Sequence, residues 1–145
     1  MADVFTKEDR SKIMARVRAK NTVPELKVRK LLHALGYRYV LHAKNLPGHP
    51  DVVFPRRRTV IFIHGCFWHQ HSGCKAAVRP ASNAEYWQQK LTRNVSRDIE
   101  TREALEAAGW RVLIIWECEI NGKGKEEALT RNLICFLGAT KLPRK

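Results

Sequence analysis

Residues 63–74 read I-H-G-C-F-W-H-Q-H-S-G-C and directly follow the apolar run Thr59-Val60-Ile61-Phe62. The β-branched run predicts a buried strand, so the residues with chemistry are delivered at the end of a strand onto a loop. That loop carries three histidines, two cysteines and a Phe-Trp pair, more than packing requires. It is also too polar, and too rich in Gly and Ser, to bury two free thiols cheaply.

Cys66, His71 and Cys74 stand at C-x4-H-x2-C, and Cys118 follows a second apolar run, residues 110–116. Tetrahedral zinc takes four such ligands, and a distant cysteine in the set would tie the loop to the end of a core strand. Four protein ligands leave no open position for a substrate, so such a site is structural. His69 competes with His71 for the fourth place. The plainer alternative is small buried thiols beside a surface histidine; Cys135, on the last predicted helix, reads as core.

The elements around this loop follow from pattern. A capping signal at Thr6-x-x-Asp9 and a narrow apolar stripe predict a basic helix over residues 6–19, with Met14 as a possible wedge between bases. Thr22, Pro24 and Glu25 open a second helix as a capping box, Val28, Leu31, Leu32 and Leu35 form its buried face, and Gly36 ends it. Residues 37–41, 51–54 and 59–63 predict three strands of an antiparallel meander, with a basic turn at 55–58. Ser82-x-x-Glu85 opens a long helix ending before Gly109, with Trp87, Leu91, Val95, Ile99 and Leu105 as its core stripe. The run at 110–116 predicts an interior strand buried on both faces and parallel to the strand before the helix. A last helix spans 126–137. The order is α, α, β, β, β, α, β, α, an α/β chain with one domain's worth of residues.

Lys and Arg outnumber Asp and Glu by 27 to 14, for a net charge of +13. Solubility needs a magnitude of only about 8 at most. The excess points to a polyanion, because each Lys or Arg set on a phosphate releases condensed counterions. No apolar run approaches the roughly 20 residues of a membrane helix, and the charged amino end lacks the apolar core of a secretory signal. A cytoplasmic location is expected.

In the meander, Asp51 and His64 come to the same end of the sheet, with His69 on the loop beyond. A carboxylate there can hold magnesium, together with a backbone carbonyl, and a histidine can move a proton. Lys90, Asn94 and Asp98 recur every four residues on the long helix. They read either as a solvated face or as the border of a cleft, with Lys90 and Asn94 on DNA and Asp98 orienting a histidine. Phe67 and Trp68 read either as cover for the loop or as an apolar wedge between bases.

With these residues in place the chain resembles the very short patch repair DNA mismatch endonucleases. The likeness is carried by M-A-D-V with Arg10-Ser11-Lys12 and Met14, L-P-G-H-P-D ending at Asp51, V-I-F-I-H-G-C-F-W-H, K-L-T-R-N-V-x-R-D ending at Asp98, and G-W-R-V-L-I-I-W-E-C. It spans residues 1–137. The resemblance implies a restriction-endonuclease-like core of the PD-(D/E)xK type, a central mixed sheet flanked by helices with a structural zinc. It divides the chain into a DNA-binding arm (1–20), a catalytic core (21–138) and a basic tail (139–145). It implies nicking of duplex DNA 5′ to the thymine of a T:G mismatch left by deamination of 5-methylcytosine. Magnesium would sit at Asp51 and the Ile63 carbonyl, Ile63 standing where the family often has threonine. His64 and His69 would face the scissile phosphate, Asp98 would support His69, and Glu25 would join the site. Met14, Phe67 and Trp68 would intercalate, and Cys66, His71, Cys74 and Cys118 would hold zinc. A monomer is expected, with other mismatch-repair proteins as further partners.

Overall fold

The computed structural model describes residues 22–138. The helix expected over 6–19, Met14 with it, and the basic tail lie outside the described residues. In chain order the elements are α1 (Val23–Ala34), β1 (Val40–Leu41), β2 (Val52–Phe54), β3 (Thr59–His64), α2 (Ala84–Ala107), β4 (Arg111–Trp116), α3 (Glu117–Ile120) and α4 (Lys125–Leu137).

The strands form one sheet in the order β1-β2-β3-β4, the first two pairings antiparallel and the last parallel. Connection length dictates this. The turn through Pro55–Arg57 is too short for anything but a hairpin, and Arg58 closes it in the left-handed region at φ 53°. Between β3 and β4 lies a whole helix, which is what a parallel crossover needs.

Alternation along the strands divides the apolar residues between two cores. Val52, Phe54, Ile61 and Ile115 pack with Val28 and Leu32 of α1 and with Leu129, Leu133 and Leu137 of α4. Val53, Val60, Phe62 and Val112 face the other way, onto Leu105 of α2. Each fully buried Leu contributes about 1.5–3 kcal/mol. The outcome is a mixed sheet flanked by helices, and no helix among the described residues is long and apolar enough to cross a membrane.

Several expectations are corrected. Among the described residues β4 is an outer strand of the sheet and only half-buried along much of its length; β3, with a neighbour on each side, is the strand buried almost throughout. The strand expected over 37–41 shrinks to two residues, because Tyr37 turns into the core and donates its hydroxyl to the Gly138 carbonyl. No capping box at Ser82 opens α2: its N-cap is Asn83, left-handed at φ 56° and without a side-chain cap. Ile99 is 54% exposed, because each step of four residues along a helix drifts by about 40°, which carries Ile99 off the face that buries Trp87, Leu91 and Leu105. The short helix α3 was not expected, and Cys118 belongs to it. Cys135 is exposed on α4 and is not a core residue.

Candidate active site and metal centre

Asp51 stands just before β2, and the hairpin register Val52↔Ile61 brings it opposite the end of β3. There the Ile63 N–H donates to Asp51 Oδ2 at 2.8 Å. The N–H and C=O of one strand residue leave the same edge, so the Ile63 carbonyl faces the Asp51 side as well. On the other flank of Asp51 the β1–β2 ladder runs one step further, with the His42 N–H on the Asp51 carbonyl at 3.3 Å. His42 is left-handed at φ 48°, and its Nε2 lies 3.0 Å from Glu25 Oε1.

Glu25 does more than open a helix. Its backbone N–H donates to the Thr22 hydroxyl oxygen at 3.4 Å, as at a cap. Its carboxylate is buried in the site, with Arg29 3.7 Å from Oε2. Donor atoms of Glu25, His42 and Asp51 all lie within 4.8 Å of one another, as a cation site requires. Burial, opposed by the Ile63 N–H and reinforced by Glu25, pushes the Asp51 carboxyl up to about 7.

The loop before Asp51 is fixed from behind. Gly48 has φ +73°, and a Cβ there would run into the Thr101 side chain of α2. Only glycine allows this close approach at that backbone angle.

His64, at the end of β3, is buried, and its ring stacks on His69 with centroids 3.8 Å apart. His69 Nδ1 lies 2.6 Å from Asp98 Oδ2. Burial, with His69 alongside, pushes His64 down to about 3, so it stays neutral, and its Nδ1 has no hydrogen-bond partner among the described residues. These groups and the Glu25–His42–Asp51 cluster line one cavity of about 420 Å³.

The loop after β3 separates its two histidines by turning. The His69 N–H bonds Gly65 and the His71 N–H bonds Cys66, and the two rings end in different clusters. His71 gathers with Cys66, Cys74 and Cys118, all donor atoms within 4.8 Å. Its ring stacks on Trp116 at 4.2 Å, and Cys118 Sγ lies 3.4 Å from its Nδ1. Burial and the neighbouring thiols push the Cys66 thiol up to about 12. Three thiols and an imidazole in this space fit a soft or borderline divalent cation, which would bind the thiols as thiolates and the imidazole in its neutral form.

Phe67 and Trp68 are both half-buried and pack edge-on or tilted against Trp87 of α2. The Asn94 amide donates to the Trp68 carbonyl at 3.0 Å, so it holds this loop. Lys90 is half-buried one turn before Asn94. Sequence reasoning missed His42, whose place opposite Asp51 follows once the meander register is drawn, and Thr101. It read Trp87 as core alone, without seeing the aromatic platform under the loop.

A strongly basic chain that gathers carboxylates and imidazoles at the open end of a mixed sheet is built as a hydrolase of nucleic-acid phosphodiesters. Comparison with known proteins narrows the class. The family model described as DNA mismatch endonuclease Vsr matches residues 2–75. A type II nicking enzyme, V.XorIIP of Xanthomonas oryzae pv. oryzae, is 50% identical over 92% of this chain and 98% of its own. The DNA mismatch endonuclease Vsr of Escherichia coli is 43% identical over 97% of this chain and 92% of its own. The type II nicking enzyme V.NmeAIP of Neisseria meningitidis is 44% identical over 85% and 87%. The chain belongs to the Vsr family of DNA mismatch endonucleases.

Proposed function

We propose that this endonuclease nicks one strand of duplex DNA 5′ to the thymine of a T:G mismatch, by magnesium-dependent hydrolysis of the phosphodiester. The observation that carries the reading is the convergence of Asp51, Glu25, His64 and His69 on one cavity, with Phe67 and Trp68 on the loop leaving it. The fold is read as a restriction-endonuclease-like core of the PD-(D/E)xK type over 21–138, with 1–20 as a DNA-binding arm and 139–145 as a basic tail, in one domain.

Asp51 and the Ile63 carbonyl would hold magnesium, with Glu25 alongside. Bound there, it supplies charge stabilisation and an acidified water. His69 donates through Nδ1 to Asp98, which leaves Nε2 as its proton-accepting nitrogen and suits it to general acid or base work. His64, neutral and beside it, contacts the phosphate. Zinc on Cys66, His71, Cys74 and Cys118 would tie the loop to the end of β4, a structural role. Phe67 and Trp68, with Met14 from the arm, pry the mismatched pair, which opens at lower cost than a matched one. Lys90 and Asn94 sit on the DNA side of α2. The enzyme is read as a cytoplasmic monomer, with other mismatch-repair proteins as further partners.

The test is a strand-specific nicking assay with magnesium on an end-labelled duplex carrying T:G in several flanking contexts, against its T:A counterpart. The reading expects a nick 5′ to the mismatched thymine that is absent from T:A and lost in Asp51→Ala. Equal cutting of both duplexes would remove the mismatch specificity. Tight binding of both duplexes without cutting would leave a DNA-binding module.

A further inference from the structure

We propose that His42 is a nitrogen ligand of the divalent cation at Asp51 and Glu25, and that it gives the site an intrinsic preference for manganese over magnesium. This rests on the reading of Asp51 as the cation site and adds a ligand to it.

His42 Nε2 stands 3.0 Å from Glu25 Oε1. An octahedral ion with bonds of about 2.1 Å has cis ligands about 3.0 Å apart and trans ligands about 4.2 Å apart. Glu25, His42 and Asp51 offer one donor each, all within 4.8 Å of one another, so small side-chain adjustments close them on one ion. The backbone prepares this. The β1–β2 ladder, continued by the His42 N–H on the Asp51 carbonyl, sets His42 directly across from the carboxylate. The left-handed φ of 48° is an uncommon conformation for a side-chain-bearing residue, of the kind kept where a site needs it.

Two further observations bear on an ion here. Asp51 and Glu25 are neighbouring carboxylates, Glu25 buried and Asp51 half-buried, and the Arg29 guanidinium lies 3.7 Å from Glu25 Oε2, the oxygen that His42 does not meet. His64, nine-tenths or more buried, lines the same cavity with an unpartnered Nδ1 among the described residues. The selectivity follows from donor type. Both ions favour oxygen, but manganese, at the weak-binding end of the first-row transition ions, accepts an imidazole nitrogen more readily than hard magnesium does, so one nitrogen in an otherwise oxygen site tilts the balance towards manganese.

The probe is Mn(II) added to the zinc-loaded full chain without DNA, read by pulsed EPR for ¹⁴N coupling, with Mn(II) and Mg(II) affinities measured by titration. His42→Asn is the variant of choice, because asparagine tolerates the left-handed backbone and is too short to reach the ion. His42→Gln serves as a second variant that keeps an N–H able to reach Glu25. Thermal unfolding and zinc content report whether each variant is folded. The expected result is imidazole ¹⁴N coupling in the parent that is lost in both variants. Mn(II) affinity should fall about tenfold or more, and Mg(II) affinity distinctly less. Absence of nitrogen coupling in the parent, its persistence in the variants, or an equal loss for both ions would overturn the proposal and leave His42 as a residue that positions Glu25. Rescue of the Mn(II)-to-Mg(II) ratio by His42→Gln would do the same. Asp51→Asn separates the layers: manganese binding that survives it removes the cation site itself, whereas its loss alongside unchanged His42 variants removes only the added ligand.

Discussion

The rings of His64 and His69 lie face to face, centroids 3.8 Å apart and planes 7° from parallel, yet only His69 has a carboxylate behind it, with Asp98 Oδ2 2.6 Å from Nδ1. Burial, with His69 alongside, keeps His64 neutral, and Asp98 fixes the orientation of the His69 ring. His69→Ala is therefore expected to cut the single-turnover nicking rate by about 10²–10⁴. Asp98→Asn, which keeps the volume but not the charge, should cost about 10–100-fold, in the range of an orienting partner. DNA binding should change little in either. Equal rates for Asp98→Asn and the parent would mean that the pair does not serve proton transfer.

Asp51 carries a stability cost that its substitution should reveal. A carboxyl held near 7 in the folded chain, against an ordinary 3.8, binds its proton more tightly folded than unfolded. Folding stability is then lost as pH rises through that interval and is lowest above it. In zinc-loaded protein without added magnesium or manganese, Asp51→Asn should raise stability at pH 8 by an amount on the order of 4 kcal/mol at most, and have little effect at pH 4. Nicking should be abolished at every pH. Denaturant titrations of the two zinc-loaded proteins at both pH values give the comparison, and a variant less stable than its parent at pH 8 would contradict it.

The hairpin and crossover were legible because short and long connections admit different pairings, and the α1 face because its apolar spacing admits one buried stripe. What stayed hidden depends on the neighbours an element acquires. W-R-V-L-I-I-W is as apolar as an interior strand, and the sequence does not show that among the described residues β3 is its one strand neighbour. Ile99 keeps the four-residue spacing but has drifted onto the exposed side of α2. The spacing around Cys66 admitted both His69 and His71, which the two turns of the loop carry to different clusters. His42 was invisible because its place depends on strand register and not on any motif.

The Cys66–His71–Cys74–Cys118 cluster joins residues far apart in sequence, so its cation would be a cross-link between the loop and the start of α3. The protein as isolated should contain one zinc per chain by elemental analysis. Cys118→Ser should lower that content and the Tm together, since metal binding free energy is here folding free energy. Cys135→Ser, at an exposed position outside the cluster, should change neither. Full zinc content in Cys118→Ser would exclude that thiol from the set.

Gly48 offers a test of how the Asp51 loop is placed. A methyl group there meets the Thr101 side chain and must also adopt φ +73°. Two penalties are combined, one steric and one of about 1–2 kcal/mol for the left-handed backbone. Gly48→Ala should therefore destabilise the protein by more than about 2 kcal/mol and lower nicking further than the stability loss explains, because the displaced loop carries Asp51 with it. Thr101→Ala in the same chain removes the γ atoms that clash and should recover the steric part while leaving the backbone part. A double-mutant cycle on unfolding free energy measures the coupling between the two positions. Additive single and double substitutions would show that the loop does not rest on α2 at Thr101.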